Sequence, residues 1–236
     1  IVNGVVEGAT LVSGGNIVLK RGMQGMDRGM LQAEGNITAK FLENCKVRCK
    51  GMLKADAILH SDVECQENVD ILGKKGLING GSLSTYADVH ATTLGSTMGA
   101  STKIKIISDK ELIIRANEIK EEVENKEETL RKIDEVVNRV KEQLASNQEV
   151  LPEQMNYLKQ ATVNKPLLVK QIRELREERE KLLVRIEKNK HSCIRVEGAV
   201  YSGIDITIKD VSKIQHEQVS HCRFVRDGAD VRIVGL

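Results

Sequence analysis

Cysteine and histidine are the side chains here with the widest chemical repertoire, and the chain has five of each. Cys45 and Cys49 are four residues apart, and Cys65 follows sixteen residues later. Zinc sites usually combine paired CxxC-type spacings, which this pattern lacks. Because Cys49 and Cys65 hold the same position in neighbouring sequence repeats, we expect them to stack in a buried core. Metal binding and oxidative pairing are the alternatives.

Two further neighbourhoods, His191-Ser192-Cys193 and His221-Cys222, lie late in the chain. The first falls where a helical region meets a β-region and the second in a terminal strand, so we expect junction and surface roles. Gly-rich runs at 73–76 and 95–99 have the composition of phosphate-binding loops. Neither carries the Lys-Ser/Thr pair that opens a helix in such loops, so we expect chain corners instead.

His60 and His90 invite an enzyme hypothesis, because hexapeptide-repeat acyltransferases are β-helices that use a histidine base between subunits. The strict hexapeptide period and a long acyl-carrier groove are not visible in this sequence. We therefore expect no enzyme activity, with no catalytic, cofactor-binding or metal-ligating residues and no cofactor. Affinity for coenzyme A would revive the alternative.

A repeat positions most of these residues. Five stretches read aliphatic, polar, small, polar, a turn, then aliphatic, and the aliphatic residue after the turn recurs at steps of 20, 16, 16 and 20 residues: Ile17, Ile37, Leu53, Val69 and Val89. The small position before the turn likewise recurs, at Ser13, Ala33, Cys49, Cys65 and Thr85. This period, with strand-type alternation inside each unit, predicts a β-solenoid of about five rungs.

The unequal steps between repeats bear on how the solenoid winds. Left-handed β-helices keep a hexapeptide period, so the irregularity favours a right-handed parallel β-helix. The longer units carry extra residues in Gly-rich connections at 22–25, 73–76 and 95–99, which we expect to bulge from one corner or to add a third strand per turn.

Composition excludes several functional classes. The chain has no Trp, only 2 Phe and 3 Tyr, and a net charge of +2 although 30% of its residues are charged. A nucleic-acid binder would show a clustered basic excess, and no segment approaches the ~20 apolar residues of a membrane span. An odd number of cysteines favours reduced thiols in a cytoplasmic protein. A start at Ile1, with neither initiator Met nor signal peptide, is typical of a fragment.

The hydrophobic period changes to steps of three and four near Asp109, which is a fair N-cap. The first coiled-coil seam consists of Leu112, Ala116, Ile119, Val123, Leu130, Ile133, Val137, Val140 and Leu144, interrupted by Lys126. Ser146-Asn147 should end this helix. The second seam consists of Leu168, Ile172, Leu175, Leu182 and Ile186, interrupted by Arg179. Such polar interruptions either fix register or mark a partner site.

Two helices of nearly equal length, about 55 Å each, joined by a few residues should form an antiparallel hairpin. Residues 109–149 carry 12 acidic and 8 basic side chains, and residues 150–191 carry 6 acidic and 10 basic, so the two helices have net charges of −4 and +4. Pro152 suits a first helical turn. Pro166 should kink the second helix or split it into 152–164 and 167–190.

After His191 the β pattern returns, and Arg226-Asp227-Gly228-Ala229 is a hairpin turn signal. The predicted fold is therefore mainly β with an α-helical insertion: a right-handed parallel β-helix over 1–107, an antiparallel coiled-coil hairpin over 108–191, and strands over 192–236 that complete or cap the β-helix.

This order of motifs resembles the C-terminal region of the flagellar assembly protein A family, a bacterial family. The resemblance covers nearly the whole chain, in stretches that include Val6-Glu7-Gly8-Ala9, Gly14-Gly15-Asn16-Ile17-Val18, Ala33-Glu34-Gly35-Asn36-Ile37, Gly76-Leu77-Ile78-Asn79-Gly80-Gly81, Leu151-Pro152-Glu153 and Tyr201-Ser202-Gly203-Ile204. It implies a β-helix with a helical hairpin in a cytoplasmic protein with a part in assembling or placing flagella. Members usually carry a further N-terminal domain, and the resemblance brings no catalytic residues.

These observations predict a non-enzymatic scaffold that binds other proteins through the coiled-coil hairpin or a flat solenoid face, without nucleic acid. Whether the chain also oligomerises stays open. The alternative from another class is a self-assembling cytoskeletal β-helix similar to the bactofilins, which the terminal hairpin and the helical insertion should hinder.

Overall fold

The computed structural model describes residues 1–146 and 150–236. They divide into two compact units, one formed by 1–109 with 188–236 and the other by 110–187. We call them the β body and the helical unit. Every strand of the described residues belongs to the β body, in one connected sheet of 18 strands.

The first nine strands of the β body are β1 (Val5–Glu7), β2 (Thr10–Ser13), β3 (Ile17–Val18), β4 (Gly22–Ala33), β5 (Ile37–Thr38), β6 (Phe41–Cys49), β7 (Leu53–Lys54), β8 (Ala57–Cys65) and β9 (Val69–Ile71). They continue as β10 (Leu77–Thr85), β11 (Val89–Ala91), β12 (Thr93–Leu94), β13 (Thr102–Ile107), β14 (Ile194–Val200), β15 (Ile204–Lys209), β16 (Val211–Gln215), β17 (Val219–Asp227) and β18 (Asp230–Gly235). Pairing is parallel until the last strands, as in a stack of similar turns.

Strand register confirms the predicted solenoid of about five turns. Residues after the turn lie directly over one another in the order Ile17, Ile37, Leu53, Val69, Val89 and Ile194. The small positions form a second column, in the order Ser13, Ala33, Cys49, Cys65, Thr85 and Ile106. Each turn therefore adds one aliphatic and one small side chain to a continuous interior.

A third column shows that each turn has three faces, as in the predicted alternative of a third strand per turn, although its residues were not predicted. It contains Val6, Met23, Leu42, Ile58, Ile78, Leu94 and Val200. The strands that carry it turn a corner at left-handed residues, such as Asn44 with φ 48° and His60 with φ 47°. One continuous strand thus supplies two faces.

The Gly-rich run at 22–25 follows the second of its two predicted alternatives, a third strand in the turn, and not a bulging corner. It is not a connection, because it lies inside β4 and pairs with β1 and β6. The glycines in this run obscured the strand pattern in the sequence. They are needed because a Cβ at Gly25 would stand 2.2 Å from the Asn44 carbonyl oxygen of the neighbouring turn. The runs at 73–76 and 95–99 do lie between strands, as expected.

The helices are inserted at one corner of the β body. In five earlier turns this corner is a three-residue turn, at 14–16, 34–36, 50–52, 66–68 and 86–88. In the next turn it is replaced by everything between β13 and β14. Since Ile194 stacks on Val89, the solenoid resumes in register after the insertion.

Antiparallel strands close the last turn of the β body. β14 and β15 pair in parallel with the preceding turn on one side, through β11 and β13. On their other side β17 and β16 pair with them antiparallel, and β18 follows in a hairpin that joins Asp227 to Asp230. The predicted turn at Gly228-Ala229 is confirmed.

The helical unit contains α1 (Lys110–Ala145) and α2 (Pro152–Asn189), and α2 ends two residues inside the β body. Ile119, Val123 and Ile172 form its buried cluster, with four partly buried leucines against it: Leu130, Leu168, Leu175 and Leu182. These are seam positions of both predicted patterns. Leu144, the last predicted seam residue of α1, is 43% exposed. No helix among the described residues is both long and apolar enough to cross a membrane.

Pro166 was predicted to kink the second helix or to split it, and the split is wrong: α2 is continuous from Pro152 to Asn189. Proline removes only one backbone donor. Contacts on both sides of it, from Lys165 to Asp134 and from Leu168 to the apolar cluster, hold the flanking turns against α1. α1 ends at Ala145, and the predicted stop at Asn147 lies outside the described residues.

Candidate interaction surfaces

One outward face of the β body is a ladder of paired charges. Gln32, Arg48, Glu64, Ser84 and Lys105 lie over one another in successive turns. Arg48 Nε lies 3.3 Å from a Glu64 carboxylate oxygen. Because charges alternate along the stack, like charges are not adjacent there and the face stays nearly neutral.

A groove of about 340 Å³ runs along this face and reaches the adjacent corner. Lys50 Nζ and Glu34 Oε2, 2.6 Å apart, lie at its edge, and the side chains of Cys49 and Cys65 form part of its floor. Its acidic and basic residues compensate one another. The groove therefore has no strong preference for a charged ligand.

The next face carries a second ladder, with His90 at its centre. Its order is Thr38, Lys54, Asp70, His90 and Arg195. His90 Nδ1 lies 3.3 Å from an Asp70 carboxylate oxygen, whose partner oxygen is 4.0 Å from Lys54 Nζ. These contacts account for His90 as a member of a surface charge ladder.

Cys49 and Cys65 stack on each other, as the sequence predicts. Both are buried, at 3% and 2% exposure. Cys49 Sγ donates to the Gly35 carbonyl oxygen at 3.2 Å and Cys65 Sγ donates to Gly51 at 3.0 Å, so each thiol closes its corner against the preceding turn. The hydrogen bond with Cys49 and the burial of the site raise the pKa of Cys65.

The other cysteines are also held by the fold. Burial raises the pKa of the Cys45, Cys193 and Cys222 thiols, and nearby Asp88 contributes at Cys193. Cys222 lies in the core at 3% exposure, which corrects the expected surface role of its strand. Within residues 1–146 and 150–236, no three His, Cys, Asp or Glu residues are grouped as metal ligands.

Ser192 and Cys193 of the His191-Ser192-Cys193 motif lie at the junction between α2 and the β body, as the sequence predicts. Ser192 is buried and its hydroxyl lies 3.5 Å from the Tyr86 carbonyl oxygen. The Cys193 N–H donates to Asp88 Oδ1 at 2.8 Å. These contacts tie the returning chain to the preceding turn of the β body.

A polar cluster at the same junction was not anticipated. Asp109 is 5% exposed, accepts a hydrogen bond from Asn189 Nδ2 at 3.3 Å, and lies 3.8 Å from Lys209 Nζ. It joins the two chain ends that leave and re-enter the β body. Asn189 and Lys209 lie 80 and 100 positions after Asp109 in the sequence. The only local signal at Asp109 was that of a helix N-cap, which does not predict these contacts.

The helical unit is held at its surface by charged contacts between α1 and α2. Arg115 Nη2 lies 3.1 Å from Glu178 Oε1. The two predicted polar interruptions also cross between the helices: Lys126 Nζ donates to Gln171 Oε1 at 3.2 Å, and Arg179 Nε donates to the Ala116 carbonyl oxygen at 3.2 Å.

Large apolar side chains remain exposed on both helices, among them Ile114 at 58%, Val163 at 74% and Val184 at 64%. Outside its narrow buried cluster the helical unit is otherwise covered by charged residues. It therefore offers long surfaces of mixed apolar and charged character.

The parallel stack, the stacked interior columns and the closing antiparallel strands define a β-solenoid protein. A family model described as "Flagellar Assembly Protein A beta solenoid domain" matches residues 1–231. The chain belongs to this family, which confirms the resemblance. A search of curated proteins and a search of solved structures both find no match.

Proposed function

We propose that this chain is a non-enzymatic scaffold in flagellar assembly or placement, acting in the bacterial cytoplasm through contacts with other proteins. The observation that carries the proposal is that the cysteines and His90 all have structural roles in the β body. The stacked cysteines serve as core residues, in which their mutual hydrogen bond raises the pKa of Cys65 and lowers that of Cys49. Burial raises the pKa of the Cys45, Cys193 and Cys222 thiols, which disfavours the thiolate that a nucleophile needs. His90 belongs to a charge ladder.

We further infer that α1 and α2 pair as an antiparallel coiled-coil hairpin and that the β body winds right-handed. Contacts whose order along α1 is reversed along α2 support the pairing: Arg115 with Glu178, Lys126 with Gln171, and Asp134 with Lys165. Unequal repeat lengths support the handedness.

A charge reversal tests the helix pairing. Arg115→Glu should lower the melting temperature of the helical unit, and adding Glu178→Arg should restore it, because the pair is rebuilt with opposite signs. A double variant that is no more stable than Arg115→Glu would contradict this pairing.

The helical unit is the partner surface that we favour, because it interrupts a β body that resumes in register without it. A corner that needs three residues in other turns would not carry a 78-residue unit for folding alone. Proteins that recognise it would use its exposed apolar side chains and its charged faces.

Deletion of the helical unit tests the scaffold proposal. The ends to be joined are close, since Asn189 Nδ2 is 3.3 Å from Asp109 Oδ1. Replacement of 110–187 by a short Gly-Ser linker should leave the β body folded, by circular dichroism, and should abolish recovery of partner proteins and normal flagellation in the encoding bacterium.

The matched control keeps the helical unit and changes the β-body groove, as in the double variant Arg48→Ser and Glu64→Ser. Partner recovery should survive this change. Loss of partners in the groove variant with retention in the deletion variant would reject docking through the helical unit.

End-to-end polymerisation is the less favoured hypothesis. It needs open strand edges at both ends of a stack, and β16, β17 and β18 close one of them with antiparallel strands. Sedimentation of the deletion variant distinguishes the two: filaments would support a cytoskeletal role, and a uniform small species would reject it.

A further inference from the structure

A basic pocket lies at the closed end of the β body, beside the junction of Ser192 and Cys193 described above. It measures about 510 Å³ and is lined by Lys190, His191, Ser192, Cys193, Ile208, Lys209, Arg223, Val225, Arg226 and Gly228. Four of these residues are permanently cationic and none is acidic. The whole chain carries a net charge of only +2, so this concentration of positive charge is local.

Lys209 is fixed in position at this pocket. Its side chain is 18% exposed, and its Nζ donates to the Lys190 carbonyl oxygen at 3.3 Å and lies 3.8 Å from the buried carboxylate of Asp109. Its backbone has φ 61°, a left-handed conformation that side-chain-bearing residues adopt at a cost. The ammonium group is therefore held at the pocket wall.

Arg226 is similarly tied, because its guanidinium lies 2.7 Å from Asp210. Arg223 differs: its side chain forms no hydrogen bond or ion pair with the residues that the structure describes. In addition Arg195 is its direct register partner across β14 and β17. Like charges opposite each other in a sheet destabilise it, and a bound anion would relieve that repulsion.

We propose that this pocket binds the phosphate group of a small phosphorylated compound. The Arg223 guanidinium would grip two phosphate oxygens with its forked donors, while Lys209 and Arg226 supply fixed positive charge. A volume of about 510 Å³ lies in the range of small-molecule sites and leaves room beyond the phosphate itself.

Isothermal titration of the complete chain with inorganic pyrophosphate at low ionic strength tests the site. We expect saturable binding of one pyrophosphate per chain. Arg223→Gln should weaken it by about tenfold, because it removes one charge-assisted interaction. Absence of saturable binding to the unchanged protein would overturn the proposal, provided that the vesicle experiment below is also negative.

Arg21→Gln is the matched control. Arg21 is also exposed and forms no side-chain hydrogen bond or ion pair with the described residues, but it lies before β4, at the second turn of the β body. Its substitution removes the same charge and should leave pyrophosphate binding unchanged. Equal weakening by both variants would reveal a diffuse charge effect and reject the pocket. Unchanged thermal unfolding of both variants would confirm that they fold.

Phosphate also occurs on lipid headgroups, and vesicles distinguish that source. Flotation with phosphatidylcholine vesicles, with and without phosphatidic acid, should show no binding if the ligand is a free compound. Binding that requires phosphatidic acid and is lost in Arg223→Gln would assign the same pocket to a lipid phosphate. The scaffold proposal does not depend on either result.

Discussion

The β body and the helical unit both bury apolar side chains, but their buried clusters differ greatly in size. In the β body, one continuous cluster runs from Val6 to Val231 and includes fully buried residues from every turn. In the described part of the helical unit, the buried cluster consists of Ile119, Val123 and Ile172, and charged pairs such as Arg115 with Glu178 lie at the surface. Each inner turn of a stack packs against a turn on both sides, whereas each of two paired helices buries only one stripe of side chains. Stability should therefore concentrate in the β body, and free surface in the helical unit.

The largest expected effect contrasts one leucine in each unit. Leu53 is fully buried between Ile37 and Val69, so Leu53→Ala should lower the free energy of unfolding by about 2–5 kcal/mol through lost burial and a cavity. Leu175 is only partly buried, and Leu175→Ala should cost about 1 kcal/mol. Urea unfolding followed by circular dichroism measures both. Equal losses would contradict the contrast in packing depth.

The next prediction concerns close contact between turns of the β body. Gly81 and Gly203 both have φ 85°, but a Cβ at Gly81 would meet Ser61 backbone oxygen at 2.3 Å, whereas nothing lies within 4 Å of one at Gly203. Gly203→Ala should cost about 1–2 kcal/mol from backbone strain alone. Gly81→Ala should cost about 2–4 kcal/mol, because overpacking adds to the same strain.

Thermal unfolding of the two glycine variants, analysed with urea titrations, gives their difference directly. Equal losses in the free energy of unfolding would mean that the turns move apart without cost, which would contradict a rigid stack. The helical unit offers no equivalent test, because none of its residues is glycine.

A smaller effect is expected from a corner hydrogen bond. Asn36 Oδ1 accepts the Met52 N–H at 2.8 Å, and Asn36→Ala should cost about 0.5–1.5 kcal/mol. Asn68 occupies the same corner two turns further on, and its buried Oδ1 has no partner among the described residues. Asn68→Ala should therefore be neutral or stabilising. A larger loss at Asn68 than at Asn36, in urea unfolding, would refute this assignment.

The smallest effect belongs to a surface pair of the helical unit. A hydrogen bond from Lys132, together with its charge, lowers the pKa of Glu128. The stability contributed by a lowered carboxyl pKa is present above the unfolded pKa and lost as pH falls through the folded one. Glu128→Gln should thus lower the melting temperature slightly at neutral pH and not in acid.

Glu135→Gln is the control for that measurement, since Glu135 is on the same helix and forms no ion pair with the described residues. It should change the melting temperature at neither pH. A pH-independent effect of Glu128→Gln would show that charge pairing is not its cause.

Much of the β body could be predicted because its repeat is local. The spacing of Ile17, Ile37, Leu53 and Val69 predicted which residues stack, and the Cys49–Cys65 stack followed from the same register. Helix positions also followed from periodicity, within a residue at the start of α2. These features depend on neighbours in sequence or on a period, which a single chain displays.

The failures have one cause, which is that the deciding contact comes from a distant part of the chain. The sequence left the run at 22–25 open between a bulging corner and a third strand, and the deciding contact is with the next turn, which excludes a Cβ at Gly25. Pro166 looked like a helix break until its flanks were seen to pack against α1. The basic pocket joins residues after α2 with those of β15, β17 and the turn that follows β17, and no sequence motif marks it.

The amino-acid sequence by itself determined the stacked repeat, the two helical segments and the family. Each is encoded in a period of aliphatic residues that any window of the chain contains. Tertiary structure alone decided which residues form the third face of each turn, that Asp109 meets Asn189 and Lys209, and that Arg223 stands opposite Arg195. Those contacts join residues that are far apart in the sequence. They can form, and contribute to stability, only after the turns have stacked.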